Sequence, residues 1–176
     1  MLILASASQS RKRLLVNSDI KFQQVSSDFD ESTIKNEKIT DLAINLSFSK
    51  AVNVFNKISG SPSSELLNNI SLEILGCDSI FEFNQESFGK PANKEEAYDR
   101  WLKMSSGMGY LHTGHTLLFC KISDDKKNII INKEIKEVIS SKIFFEELLE
   151  KEIIQYVETL EPLNCAGGFA LEGRGG

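Results

Sequence analysis

Four apolar residues, Leu2 to Ala5, run straight into Ser6-Ala7-Ser8-Gln9-Ser10 and then into Arg11-Lys12-Arg13-Leu14-Leu15. So short an apolar run reads as a buried strand, the serines as a tight turn, and Ser8 as the N-cap of a helix. The rest of the chain repeats the mixture. Lys21 to Val25 reads as a second strand. Ile39 to Ile58 has helical period, with Ile39, Leu42, Ala43, Leu46, Ala51, Val54, Phe55 and Ile58 on one broad face. Lys50 interrupts that face as a cation beside the apolar stripe. Gly60 to Ser64 reads as a loop, Ile70 to Phe83 as strand, and Asn84-Gln85-Glu86 as a hairpin turn. Asn93 to Met104 reads as a helix that Asn93 caps, with Glu96 in a variant of the capping box. Tyr110 to Ile122 and Asn128 to Lys142 read as strands joined by a polar turn. The apolar period from Phe145 to Val157 marks one more helix, and the Gly-rich remainder is irregular. Helices mixed with hairpins predict an α/β fold on a mixed sheet.

The 176 residues suffice for one compact domain, and 41% apolar with 26% charged residues is ordinary for a soluble protein. A net charge of −5 disfavours nucleic acid as a partner, since phosphate backbones repel it. No apolar run approaches the roughly 20 residues that span a bilayer, so no membrane association is expected. The N-terminus places its apolar residues before its charges, the reverse of a secretory signal. Cys77, Cys120 and Cys165 are widely spaced and form neither a disulfide framework nor a zinc pattern, which points to the cytoplasm.

Five groups of residues could carry chemistry. The turn around Ser8, Ser10 and Arg11 offers a helix N-terminus and a guanidinium to an anion; a capped surface helix explains the same spacing. Asp28, Asp30 and Glu31, with the distant Asp78, could supply the one or two carboxylates that Mg²⁺ takes beside substrate phosphates. Asp78 lies in strand-like sequence, where an acid needs a partner unless it faces water at an edge. Gly89-Lys90-Pro91 offers a close backbone approach and a compact cation, although no Walker A loop is present. His112 and His115 are three apart, so in a strand they point to opposite faces and read as ordinary strand histidines rather than a metal pair. The stretch Cys165 to Gly173 could close on a flat ligand or fray.

The order of these segments carries more than any one of them. LILASASQSRKRLL, SDFDES, FSKA, GCDSI, GKP, TGH and EPLNCAGGFALEG together resemble the Maf family over nearly the whole chain, Leu2 to Gly175. The resemblance implies a mixed α/β fold of two lobes around a deep cleft, similar to the inosine triphosphate pyrophosphatases. It implies metal-dependent release of pyrophosphate from nucleoside triphosphates. Ser8 and Arg11 match the family's phosphate-binding serine and arginine, and Glu31 its acid after the second strand. Lys50 matches the lysine late in the long helix, Asp78 the proton acceptor, and Lys90 the lysine of GKP. Glu31 and Asp78 are then the expected ligands of Mg²⁺ or Mn²⁺, and which of them is base and which ligand stays open.

Ser10, Ser79 and Glu172 match three base-selecting positions. The branch taking dTTP and UTP has Arg, Thr and Gln there, and the branch taking 7-methyl-GTP has Trp, Gln and Glu. Glu172 alone agrees with the second branch, and a carboxylate can accept from the N1–H and amino group of guanine. The family pattern continues beyond this sequence with a strand and a helix. Residues 1–176 are therefore expected to form a single Maf-like domain lacking that strand and helix, marginal in stability unless a homodimer partner covers the gap. A catalytically weak nucleotide-binding regulator linked to cell division is the alternative function.

Overall fold

A computed structural model describes the chain except residues 35–37, 70, 126, 172 and 176. The elements run β1 (Leu2–Ala5), α1 (Gln9–Asn17), β2 (Phe22–Gln24), α2 (Ile39–Gly60), α3 (Ser64–Leu67), β3 (Leu72–Phe83), β4 (Glu86–Phe88), α4 (Lys94–Met104), β5 (Met108–Ile122), β6 (Ile129–Phe144) and α5 (Glu150–Glu158). The strands form a mixed six-stranded sheet in the order β2-β1-β3-β5-β6, with β4 paired to β3. The chain is thus mixed α/β, as the alternating periods predict.

Two compact units divide it. The first comprises Met1–Asp78 and Gly114–Val138. Here β1 pairs in parallel with β2, Leu4 facing Gln24, and with β3, Ala5 facing Gly76. Ile3, Ala5, Ala51, Val54, Leu72, Ile74 and Leu118 form its core. Helix α2 lies close on the sheet at two glycines. A methyl at Gly76 would fall 2.1 Å from the Ser47 carbonyl oxygen, and one at Gly114 would fall 2.1 Å from that of Ala43. Only hydrogen at both positions lets the helix backbone approach so near. The buried Ser47 and Thr116 hydroxyls, 2.8 Å apart, fix the helix at the same level.

The second unit comprises Ser79–Thr113 and Ile139–Gly176. Its core is aromatic: Phe81, Phe83, Phe88, Trp101 and Phe169, with Phe145 and Tyr156 against them. Antiparallel β3 and β4 meet through Asn84 and Gln85, both at positive φ, whereas Glu86, read from the sequence as part of the turn, already opens β4. Asn93 caps α4 by accepting from the Glu96 N–H at 2.9 Å. The Glu96 carboxylate bonds the Ala92 N–H at 2.7 Å, one residue before the position a capping box uses. The expected helix from Phe145 begins only at Glu150. Residues 145 and 146 are held instead by backbone bonds, Phe145 N–H to the Gly107 carbonyl and Ser106 N–H to that of Glu146. Ser64, read as loop, opens α3, with the Ser63 hydroxyl accepting from the Leu66 N–H. Among the described residues no helix is long and apolar enough to cross a membrane.

Candidate functional site

The carboxyl ends of parallel strands collect side chains because each strand stops there and its loop turns away. In the first unit β1 ends at Ala5 and β2 at Gln24, and β3 runs past its last pairing with β1 at Gly76. Ser6, Ser8 and Arg11 follow the first end, Asp28 to Glu31 follow the second, and Cys77 and Asp78 continue the third.

Ser6 is buried, and its hydroxyl accepts from the Ser8 N–H at 3.2 Å and from Arg11 Nη1 at 3.1 Å. The same Nη1 donates to the Cys77 carbonyl at 2.8 Å, which ties the guanidinium to β3. Gln24 Nε2 donates to the Ser6 carbonyl at 2.7 Å, tying β2 to the same turn. Ser8 caps α1 by accepting from the Arg11 N–H. The turn is held from three directions, with the N-terminal amides of α1 beside an arginine. Ser10 lies half-buried in the first turn of α1.

Lys50 joins the second part. Its ammonium bonds the Asp78 carboxylate directly and Glu31 Oε1 at 2.8 Å. Asp78 is only 8% exposed, which removes the reading of a water-facing edge acid. The Glu31 side chain is open to solvent, at 56%. Burial pushes the Asp78 carboxyl above the usual carboxylate range. Lys50 pulls it back only in part, Glu31 adds to the rise, and Arg11 opposes it. Burial also works against the Lys50 ammonium, but Asp78 and then Glu31 outweigh it and leave its pKa above the ordinary lysine value. Burial raises the neighbouring Cys77 thiol as well, which keeps it protonated rather than nucleophilic.

The other acids of the loop go elsewhere. Asp28 pairs with Lys57 at 3.0 Å, and Asp30 caps a short 3₁₀ turn at Glu31–Thr33 through the Ser32 N–H. Sequence reasoning named Arg11, Lys50, Glu31 and Asp78 and put Ser6 among the phosphate-facing serines of the turn, but it gave no role to Gln24 or the Cys77 carbonyl and did not foresee Ser6 as a buried anchor. The signal for Ser6 was present: a serine directly after a fully apolar strand is buried with it, and its hydroxyl needs partners there.

In the second unit Lys90 is exposed, following a Gly89 whose carbonyl accepts from the Gly167 N–H and from Arg100 Nη1. Ser79, the first residue past Asp78, has its hydroxyl 3.0 Å from that of Thr113. Glu172 lies outside the described residues. His112 is buried, with Nε2 2.8 Å from Glu82 and Nδ1 2.7 Å from Ser140. Its partners are thus a carboxylate and a hydroxyl on neighbouring strands. Among the described residues no three His, Cys, Asp or Glu side chains converge as a metal cage.

The donor set at Asp78 and Glu31 nonetheless fits a hard divalent cation. Mg²⁺ takes only one or two carboxylates when substrate phosphates complete its shell, and two carboxylates already converge on one ammonium here.

Residues 1–176 match the Maf family, described as Maf-like protein. The chain is 56% identical over 176 residues to a nucleoside triphosphate pyrophosphatase of Prochlorococcus marinus (strain MIT 9301), a match covering 100% of this chain and 87% of the relative. It is 42% identical over 178 residues to the protein of that name from strain NATL1A, covering 100% and 82%. A third, from strain MIT 9313, is 40% identical over 174 residues, covering 99% and 84%. By the match over its whole length and by these identities, the chain belongs to the Maf family.

Proposed function

We propose that the protein hydrolyses a nucleoside triphosphate to the monophosphate and pyrophosphate. The observation that carries this reading is the buried Asp78 carboxylate on the Lys50 ammonium, beside the arginine-bearing turn at the start of α1. The relatives' shared name supports the same reaction. A water oxygen bonds to the α-phosphorus, the bond from the α-phosphorus to the bridging oxygen breaks, and pyrophosphate leaves with that oxygen. Asp78 accepts the water's proton. Its raised pKa suits that task, because a base works best when its pKa approaches the working pH. Arg11 and the α1 amides bind phosphate oxygens, and Lys50 neutralises charge that builds on them. We assign Lys90 to the same charge neutralisation, and Ser10, Ser79 and Glu172 to reading the base. Glu31 and Asp78 would hold a divalent cation, which would neutralise further charge and make the attacking water more acidic. Cys77 and Cys120 are buried thiols, and burial pushes Cys120 up to about 11, so both remain reduced in the cytoplasm where we place the protein.

Incubation with a panel of nucleoside triphosphates and Mg²⁺ or Mn²⁺ tests the reaction. The expected products are monophosphate and pyrophosphate. Diphosphate with orthophosphate would mean that the wrong bond is assigned. Ligand-induced stabilisation without turnover would leave a binding protein instead.

A further inference from the structure

We infer that the outer edge of β6 pairs with the same edge of a second copy of this chain, antiparallel, about a two-fold axis through Ile135. Strand β6 runs for 16 residues and ends the sheet order, so among the described residues only β5 pairs with it. Its side chains are unusually open for so apolar a strand. Ile130, Ile131, Ile135, Ile139 and Phe144 are 54%, 38%, 44%, 49% and 71% exposed. A long free edge carrying isoleucines is a template for another strand.

Charges on an edge usually blunt such pairing, and this strand carries four of them in the run Lys133-Glu134-Ile135-Lys136-Glu137. Their order does the opposite here. Turned end for end about Ile135, the run places Lys133 against the partner's Glu137 and Glu134 against the partner's Lys136. It also places Ile131 against the partner's Ile139 and Ile135 against its own copy. Each charge meets its opposite, and each of these isoleucines meets an isoleucine. Directly opposed residues of this kind are the stabilising unit of an antiparallel pair. Neighbouring registers lose the match. Sliding the partner by one residue sets Lys133 against Lys136 or Glu134 against Glu137. Sliding it by two sets Glu134 or Lys136 against its own copy. One register is selected, and it is the isologous kind that closes on a dimer rather than a fibre.

The two halves of the pattern lie on opposite faces of the strand, because side chains alternate. On one face Lys136 already pairs with Glu134 at 2.9 Å and sits 3.5 Å above the Phe48 ring. On the other, Lys133 lies 5.9 Å from the Phe119 ring centroid. Both lysines are thereby positioned before any partner arrives, and both faces of the joined sheet gain opposite-charge pairs.

Sedimentation equilibrium on the full chain and three variants tests the pairing. The wild type is expected to be a dimer that weakens as salt screens the exposed charges. The K133E/K136E chain presents only acids and the E134K/E137K chain only bases. Each alone should dimerise roughly tenfold more weakly or worse, while an equal mixture of the two forms a heterodimer. The swap K133E/E137K restores opposite charges within one chain and should dimerise like the wild type. Recovery in the mixture or in the swap cannot arise from a folding defect. A monomeric wild type, single-sign chains that dimerise undiminished, or neither the mixture nor the swap recovering the dimer would each overturn the inference.

Discussion

At the scale of the residue, the protein's chemistry turns on what surrounds one carboxylate. Asp78 is buried against a lysine that also holds Glu31, so its charge is fixed in place without a full solvent shell. Asp78→Asn removes the proton acceptor while keeping the shape. Turnover is expected to fall by about 10²-fold or more, with the far-ultraviolet spectrum unchanged. Near-normal turnover would take Asp78 out of the mechanism. Chelation of divalent metal should likewise stop turnover and leave the chain folded, and a rate that survives excess chelator would exclude the metal. Glu172→Gln tests the base reader. An amide donates where a carboxylate cannot, so preference should move from a guanine-type base toward a pyrimidine. An unchanged substrate profile would separate Glu172 from the base.

These residues were legible in the sequence to different degrees. Lys50 stood out because it broke an apolar helical stripe, and Asp78 because it sat in strand-like sequence. Neither feature says that the two meet. They are 28 positions apart, and only the seating of α2 on β3 brings them together. The bond of Arg11 to the Cys77 carbonyl was not legible, since a carbonyl has no sequence signature.

At the scale of the element, α2 positions Lys50, and two glycines and one hydroxyl pair position α2. Gly76→Ala drives a methyl into the helix backbone at Ser47 and against Ala51. The helix has to retreat, at a cost of about 1–3 kcal/mol of stability. Lys50 sits one turn beyond Ser47, so the same retreat should lower kcat. Urea unfolding with steady-state kinetics checks both, and a variant as stable and active as wild type would show that the close approach is not needed. Periodicity read most elements to within a few residues. Strand β1 agrees at both ends, and α2 extends only from the expected Ile58 to Gly60. The failure at Phe145 is instructive. Its apolar spacing looked helical, yet Phe145 joins the aromatic core while its backbone pairs with Gly107. Tertiary contacts overrode a local period there.

At the scale of the whole molecule, each of the two units keeps its own core, aliphatic in the first and aromatic in the second. Trp101 is the single tryptophan, and it anchors the second core by donating from Nε1 to the Gly168 carbonyl at 2.8 Å. Trp101→Phe keeps much of the ring but removes that donor. Amide exchange at 167–169 should accelerate while the first unit's amides keep their protection. Uniform acceleration across both units would instead show that they unfold as one.

The claim joining these scales is that water attacks the α-phosphorus at a site built around Asp78. Turnover in ¹⁸O-labelled water tests it most directly, because the attacked phosphorus keeps the label. The account predicts ¹⁸O in the nucleoside monophosphate and none in the pyrophosphate. Label in the pyrophosphate, or in released orthophosphate, would contradict it.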